Sequence, residues 1–196
     1  MTISLHELAS SVIASCPPQV RLTAEDRQVI AAHQGFLAGL EDELVAAFYD
    51  TLYAHEPTSA VFEEGERPAR EETLRGWWRR TVTGPLDDAY FAWMALVGVV
   101  HIRRGVRNPM MLSMFHVVTD AVHARARATL GDDEAERLRL AFSHLAATVS
   151  SVISDSYTET YIEALHDLAG LNPALSERML HITVRDLEAQ GRTQLA

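Results

Sequence analysis

The sequence predicts an all-α protein. Strand signals are almost absent, because β-branched residues stand singly or at helical spacing instead of in alternating runs. Breakers punctuate the chain at helix-length intervals: Pro17-Pro18, Pro57, Gly84-Pro85, Gly105, Gly131 and Gly170. At 196 residues and 47% hydrophobic content, the chain fits one compact domain that can bury a core and enclose a small cofactor.

Taken in order, a first helix is expected around residues 3–15, stopped by Pro17-Pro18. Thr23, followed by Glu25-Asp26, reads as the start of a long helical segment to about His55, with one bend near Gly35 or Gly39 and Pro57 closing it. Residues 58–67 read as a loop, and a helix from about Pro68 to Thr83 ends at the Gly84-Pro85 turn. The next opens on Asp87-Asp88, whose charge suits a helix N-terminus, and sets Tyr90, Met94, Val97 and His101 on one face before ending at Gly105. A helix from near Pro109 turns Met111, Met114, Phe115, Val118 and Val122 inward and stops at Gly131. From Asp132-Asp133 to Gly170 nothing interrupts the helical pattern, which at 1.5 Å per residue spans roughly 58 Å. Leu138, Phe142, Leu145, Val149 and Val152 alternate four-three along it, the spacing of a seam between helices. The stripe continues through Ile153, Tyr157, Tyr161 and Leu165, and part of it is expected to lack an intrachain partner, which favours a homodimer through the helices at about 109–130 and 132–170. From Asn172, with Pro173 in its first turn, a short amphipathic helix and a polar end follow.

Composition narrows the function classes. The net charge is −10 and all 17 basic residues are Arg, the longest cluster being Arg103, Arg104 and Arg107, so nucleic acid is not expected as a partner. Cys16 stands alone, which excludes an internal disulfide and fits a reducing compartment. The N-terminus has no basic n-region, and no apolar run reaches the roughly 20 residues of a membrane span. A soluble, cytoplasmic protein without membrane partners is the expectation.

Nine histidines are present. His6, His33, His55, His166 and His181 read as solvated or structural, and His116, His123 and His144 sit in helical patterns without a second ligand at metal spacing. On its apolar face alone, His101 reads more readily as a core histidine satisfied by a backbone carbonyl than as a ligand. No phosphate loop, nucleophile elbow or Cys-His pairing appears.

The sequence around His101 adds a more specific signal. AFYDTLYAHEP at 47–57, ETLRGWW at 72–78, TGPLDDAYFAWMALVGVVHIRRG at 83–105 and the long helix ending in SDSYTETY together resemble the globin domain of globin-coupled sensors and the related protoglobins. The resemblance implies a sensor-globin fold with an extra N-terminal helix and a long C-terminal helix. It implies heme b as cofactor, His101 as the axial ligand of the iron, Tyr49 as the distal hydroxyl facing a bound gas, and Thr73 as a second distal hydroxyl. Phe48, Leu52, Phe62, Leu74, Trp77, Met94 and Val97 are expected to line the slot. As alternatives read from the residues themselves, Tyr49 is a half-buried tyrosine and Thr73 a back-bonded helix residue. Two positions depart from the family pattern: Pro109 is followed by Met110-Met111 where an aromatic is usual, and Arg70 occupies a commonly apolar position three residues before Thr73.

Residues 1–170 are thus expected to form a sensor globin domain and 171–196 a linker helix and tail. The function implied is a heme-based sensor of dioxygen or another diatomic gas, signalling as a homodimer to a downstream protein or output domain. A heme-free globin-like input module of the stressosome type and a heme enzyme acting on dioxygen or nitric oxide are the alternatives. Retention of both Tyr49 and His101 speaks against the former, and the lack of a flavin or nicotinamide motif against the latter.

Overall fold

The computed structural model describes residues 4–170 and 172–195, so the expected helix start at residue 3 and the outer limits of the 171–196 segment lie outside the described residues. The described residues form eleven helices and no strand: α1 (Leu5–Ser15), α2 (Ala24–Ala32), α3 (Gln34–Ala38), α4 (Glu41–Tyr53), α5 (Glu56–Ser59), α6 (Arg67–Thr83), α7 (Asp88–Arg103), α8 (Asn108–Leu112), α9 (Met114–Leu130), α10 (Asp132–Ala169) and α11 (Pro173–Leu195). Two compact units result, Met1–Tyr157 and Thr158–Ala196.

Local chemistry sets the boundaries. Thr23 and Asp26 form a reciprocal capping box at the start of α2, satisfying two amide donors that helix geometry leaves free. Asp87 accepts from the Tyr90 amide at 3.0 Å and so caps α7. At the other end of α7, Gly105 takes φ +68°, which only glycine adopts freely. The Gly105 amide then donates to the Ile102 carbonyl and the Val106 amide to the His101 carbonyl, both at 3.0 Å. This pair is a Schellman closure, and it fixes the last turn of the helix that carries His101.

The expected segment 23–55 breaks twice instead of bending once. The His33 amide is shared between the Val29 and Ile30 carbonyls, its Nδ1 lies 2.9 Å from the Val29 oxygen, and the chain restarts there as α3. A second interruption follows at Gly39-Leu40. Pro57, expected only to close that segment, sits in the first turn of α5, where its missing amide costs nothing, so part of the expected loop is helical. The helix expected from Pro109 is divided at Ser113 into α8 and α9. The C-terminal helix is not short: α11 has 23 residues, because Gly191 adopts ordinary helical geometry and the Glu188–Arg192 pair supports the last turns.

The core of the first unit lies between α1, α2, α3, α4, α6, α7, α8, α9 and α10. Trp78 is fully buried at its centre, with its indole N–H donating to the Leu37 carbonyl at 3.0 Å and its ring 5.7 Å from Phe142. α1 packs on α7, and α4 packs against both α6 and α9. At Gly98 α7 meets α10 backbone to backbone: an added Cβ would lie 2.5 Å from the Ile153 carbonyl oxygen. The four-three seam of α10 is wholly intrachain. Leu138, Phe142, Leu145, Val149, Val152 and Ile153 are all buried, so any part of the stripe without an intrachain partner lies further along the helix. What remains exposed on α10 is Leu140 and the later group Tyr161, Ile162, Leu165 and Leu168. No helix among the described residues is long and apolar enough to cross a membrane.

Candidate functional site

One cavity of about 350 Å³ opens between α4, α6, α7, α8, α9 and the Ile153 turn of α10. Its volume falls within the range of small-molecule sites. Its walls are mostly apolar, and all ten residues singled out from the sequence line it: Phe48, Tyr49 and Leu52 from α4, Phe62 from the following loop, Thr73, Leu74 and Trp77 from α6, and Met94, Val97 and His101 from α7.

His101 stands two residues before the end of α7, in the turn held by the Gly105 closure. Its Nδ1 lies 2.6 Å from the Val97 carbonyl, one helical turn back, which fixes the tautomer with the proton on Nδ1. The ring's Nε2 has no hydrogen-bond partner among the described residues. Burial holds the imidazole pKa below its ordinary value of 6.5, and the nearby Arg104 acts in the same direction against the bond to Val97. The result is a neutral imidazole with a free lone pair in an apolar cavity. A backbone carbonyl does satisfy this histidine, yet it takes only one of the two ring nitrogens.

The hydroxyls across the cavity are both engaged. Tyr49 is buried and donates to the Arg70 carbonyl at 2.8 Å, and burial pushes its phenol up to about 12, so the group stays a donor at any physiological pH. Its ring meets Phe48 and Phe62 edge-on at 5.5 and 6.0 Å. Thr73 is exposed, and its hydroxyl donates to the Ala69 carbonyl at 3.0 Å, the back-bonded arrangement of a helical threonine. Each hydroxyl has one proton, so neither has a spare donor in this arrangement.

The two departures in sequence acquire definite places. Met110 and Met111 line the cavity together with Met114, adaptable side chains where an aromatic was usual, and Val97 supplies the partner for the His101 Nδ1. Arg70 lines the cavity too and pairs with Glu66 at 3.1 Å. Sequence reasoning did not single out Trp93 or Arg104 as lining residues. Trp93 stands one position before Met94 and is held by Arg80, whose guanidinium lies 4.4 Å from the ring centroid. Arg104 joins the wall because it is the C-cap of α7, and the one sequence signal near it is the HIRRG run that ends the helix. Among the described residues no group of three or more His, Cys, Asp and Glu side chains is placed to hold a metal ion.

Comparison with known proteins follows the same lines. No curated protein matches the chain. Among solved structures, the globin domain of a Geobacter sulfurreducens globin-coupled sensor superposes with a TM-score of 0.63 at 18% identity, covering 80% of this chain and 99% of that one. That likeness establishes a shared fold, the all-α globin fold of the sensor type expected from the sequence. The Protoglobin family model matches residues 18–163, well over half of the length and every element that lines the cavity. The chain therefore belongs to the protoglobin family, a family of globins whose membership implies heme as the cofactor.

Proposed function

We propose that the protein is a heme-based gas sensor in which His101 Nε2 is the axial ligand of heme b and dioxygen is the ligand sensed. The observation that carries this reading is the state of His101: one nitrogen committed to Val97, the other unpartnered, and the ring neutral in a cavity otherwise walled by aromatic and aliphatic side chains. That donor set fits a planar macrocycle whose metal needs one neutral imidazole and an apolar surround. When bound, the heme supplies the iron centre at which a diatomic gas is held.

The chain's own residues do the rest. Val97 and the Gly105 closure fix the angle of the His101 ring, as carbonyl partners of ligand histidines do elsewhere. Phe48, Leu52, Phe62, Leu74, Trp77, Met94 and Val97 exclude water from the slot, which raises the weight of any single polar contact inside it. Tyr49 is the donor of choice toward a polar gas, and to serve it releases the Arg70 carbonyl. Thr73 plays the lesser part, from a more exposed position. Output runs through a homodimer to a downstream protein or output domain. The exposed apolar group Tyr161, Leu165 and Leu168 supports this, because residues spaced four and three apart form one helix stripe that a second copy can cover.

Reconstitution of the purified chain with hemin tests the reading. A Soret band with the ferrous spectrum of a histidine-ligated heme is expected, and it collapses in His101→Ala while helix content is retained. An unchanged ferrous spectrum in that variant would show that another residue ligates the iron, and a chain that takes up no hemin would return it to the heme-free class.

A further inference from the structure

Glu66 stands at the start of α6 and its carboxylate gathers four donors. Oε1 lies 2.7 Å from Arg104 Nη1 and 3.1 Å from Arg70 Nε, while Oε2 accepts from Arg104 Nη2 at 2.9 Å and from the Glu63 amide at 3.1 Å. Two arginines and a backbone amide converging on one carboxylate make a carboxylate-binding site, and the forked Arg104 contact is its strongest part. The site is built for more than Glu66 satisfies. Arg70 Nε is buried and has no directed hydrogen bond among the described residues, since its contact with Glu66 meets the distance of an ion pair and not the angle of a hydrogen bond. Both arginines also line the His101 cavity, which Glu66 does not.

We propose that Glu66 is an internal competitor for a propionate of the cofactor, occupying Arg70 and Arg104 until the propionate displaces it. This rests on the heme reading above and adds to it a gate on cofactor uptake. The physical reason is substitution at equal charge: one carboxylate replaces another on the same two guanidinium groups, so the arginines are never left unpaired beside an apolar cavity. The competing pair also joins the N-cap of α6 to the C-cap of α7. Only the internal ion pair is given up when the cofactor enters, and its strength is therefore subtracted from the apparent affinity.

The test uses the full chain, hemin, and hemin dimethyl ester, whose propionates carry no charge. Release to a heme-scavenging apoprotein is followed by absorbance for the wild type, Glu66→Gln and Arg104→Gln, with thermal unfolding of each cofactor-free protein measured alongside. Glu66→Gln is expected to release hemin on the order of tenfold more slowly than the wild type, to release the ester at the wild-type rate, and to unfold at a lower temperature when cofactor-free. Arg104→Gln is expected to lose hemin faster and to leave the ester unaffected. Hemin release from Glu66→Gln as fast as or faster than from the wild type overturns the competition, as does an equal gain with the ester. A wild-type chain that holds neither porphyrin overturns the heme reading and the competition with it.

Discussion

Replacing Gly98 by Ala tests the contact between α7 and α10 directly. The new methyl would sit 2.5 Å from the Ile153 carbonyl oxygen and 2.3 Å from Ser156 Oγ, against an ordinary contact of 3.4 Å or more. The helices must part by about 0.9 Å, the difference between 3.4 and 2.5 Å, because the nearest immovable atom is backbone. Turning Ser156 aside does not relieve it. Overpacking of this kind costs about 1–3 kcal/mol, and separating buried backbones belongs at the upper end. Alanine returns up to about 1 kcal/mol in helix propensity, which leaves a net loss of about 2 kcal/mol. For a chain of this size that lowers Tm by about 4–8 °C. Thermal and urea unfolding of the wild type, Gly98→Ala and Gly98→Ala combined with Ser156→Gly measure it, and the double variant is expected to recover only part of the loss. A Gly98→Ala protein as stable as the wild type would refute the close approach. Full recovery in the double variant would place the clash on the Ser156 hydroxyl alone.

Tyr49→Phe removes the bond to the Arg70 carbonyl and is expected to cost the cofactor-free protein about 1 kcal/mol in urea unfolding. In the reconstituted protein the same change is expected to speed dioxygen release about five- to a hundredfold and carbon monoxide release far less, as read by flow spectroscopy; equal effects on both gases would make the role steric. Thr73→Val shifts dioxygen release in the same direction by a smaller factor. The folded His101 pKa lies below the unfolded value of 6.5, so its contribution is fully present above pH 6.5 and is lost as pH falls from there through the folded value. Its share has a limiting slope of about 1.4 kcal/mol per pH unit and disappears in His101→Phe. Glu66 is held down to about 2 by the Arg104 hydrogen bonds, and its stabilisation fades only below its usual 4.5, a separate acid window that Glu66→Gln removes. Sedimentation equilibrium is expected to give twice the mass of one chain, reverting to a single chain in Leu165→Glu; a monomeric wild type would refute the homodimer.

The helices around the cavity were legible because their signals are local. Asp87, Gly84-Pro85 and Gly105 bracket α7 with cap and breaker chemistry that acts within four residues, and the apolar face between them has one period. The breaks at His33 and Ser113 were not legible, since each is a small change of hydrogen-bond partner inside an apolar pattern that continues across it. The cavity wall was read from the resemblance for its α4, α6 and α7 residues. Arg104 and Trp93 escaped because what brings them to the wall is the end of a helix and a guanidinium from another one, neither of which periodicity records. The seam of α10 was recognised by spacing, but spacing does not say whether the partner lies in the same chain. Leu145 and Val149 found theirs at home, while Leu165, four turns on, did not.

The Gly105 closure has a mechanical meaning. Helix ends ordinarily fray, and a pull on a terminal side chain is absorbed there as loosened turns. At the end of α7 the His101 carbonyl is tied to the Val106 amide and the His101 ring to the Val97 carbonyl, so neither the backbone nor the imidazole yields alone. A tug on that ring has nowhere to leak at the tip. It travels back along the rod as a rigid displacement, and three residues earlier the rod bears on α10 at Gly98, bone on bone.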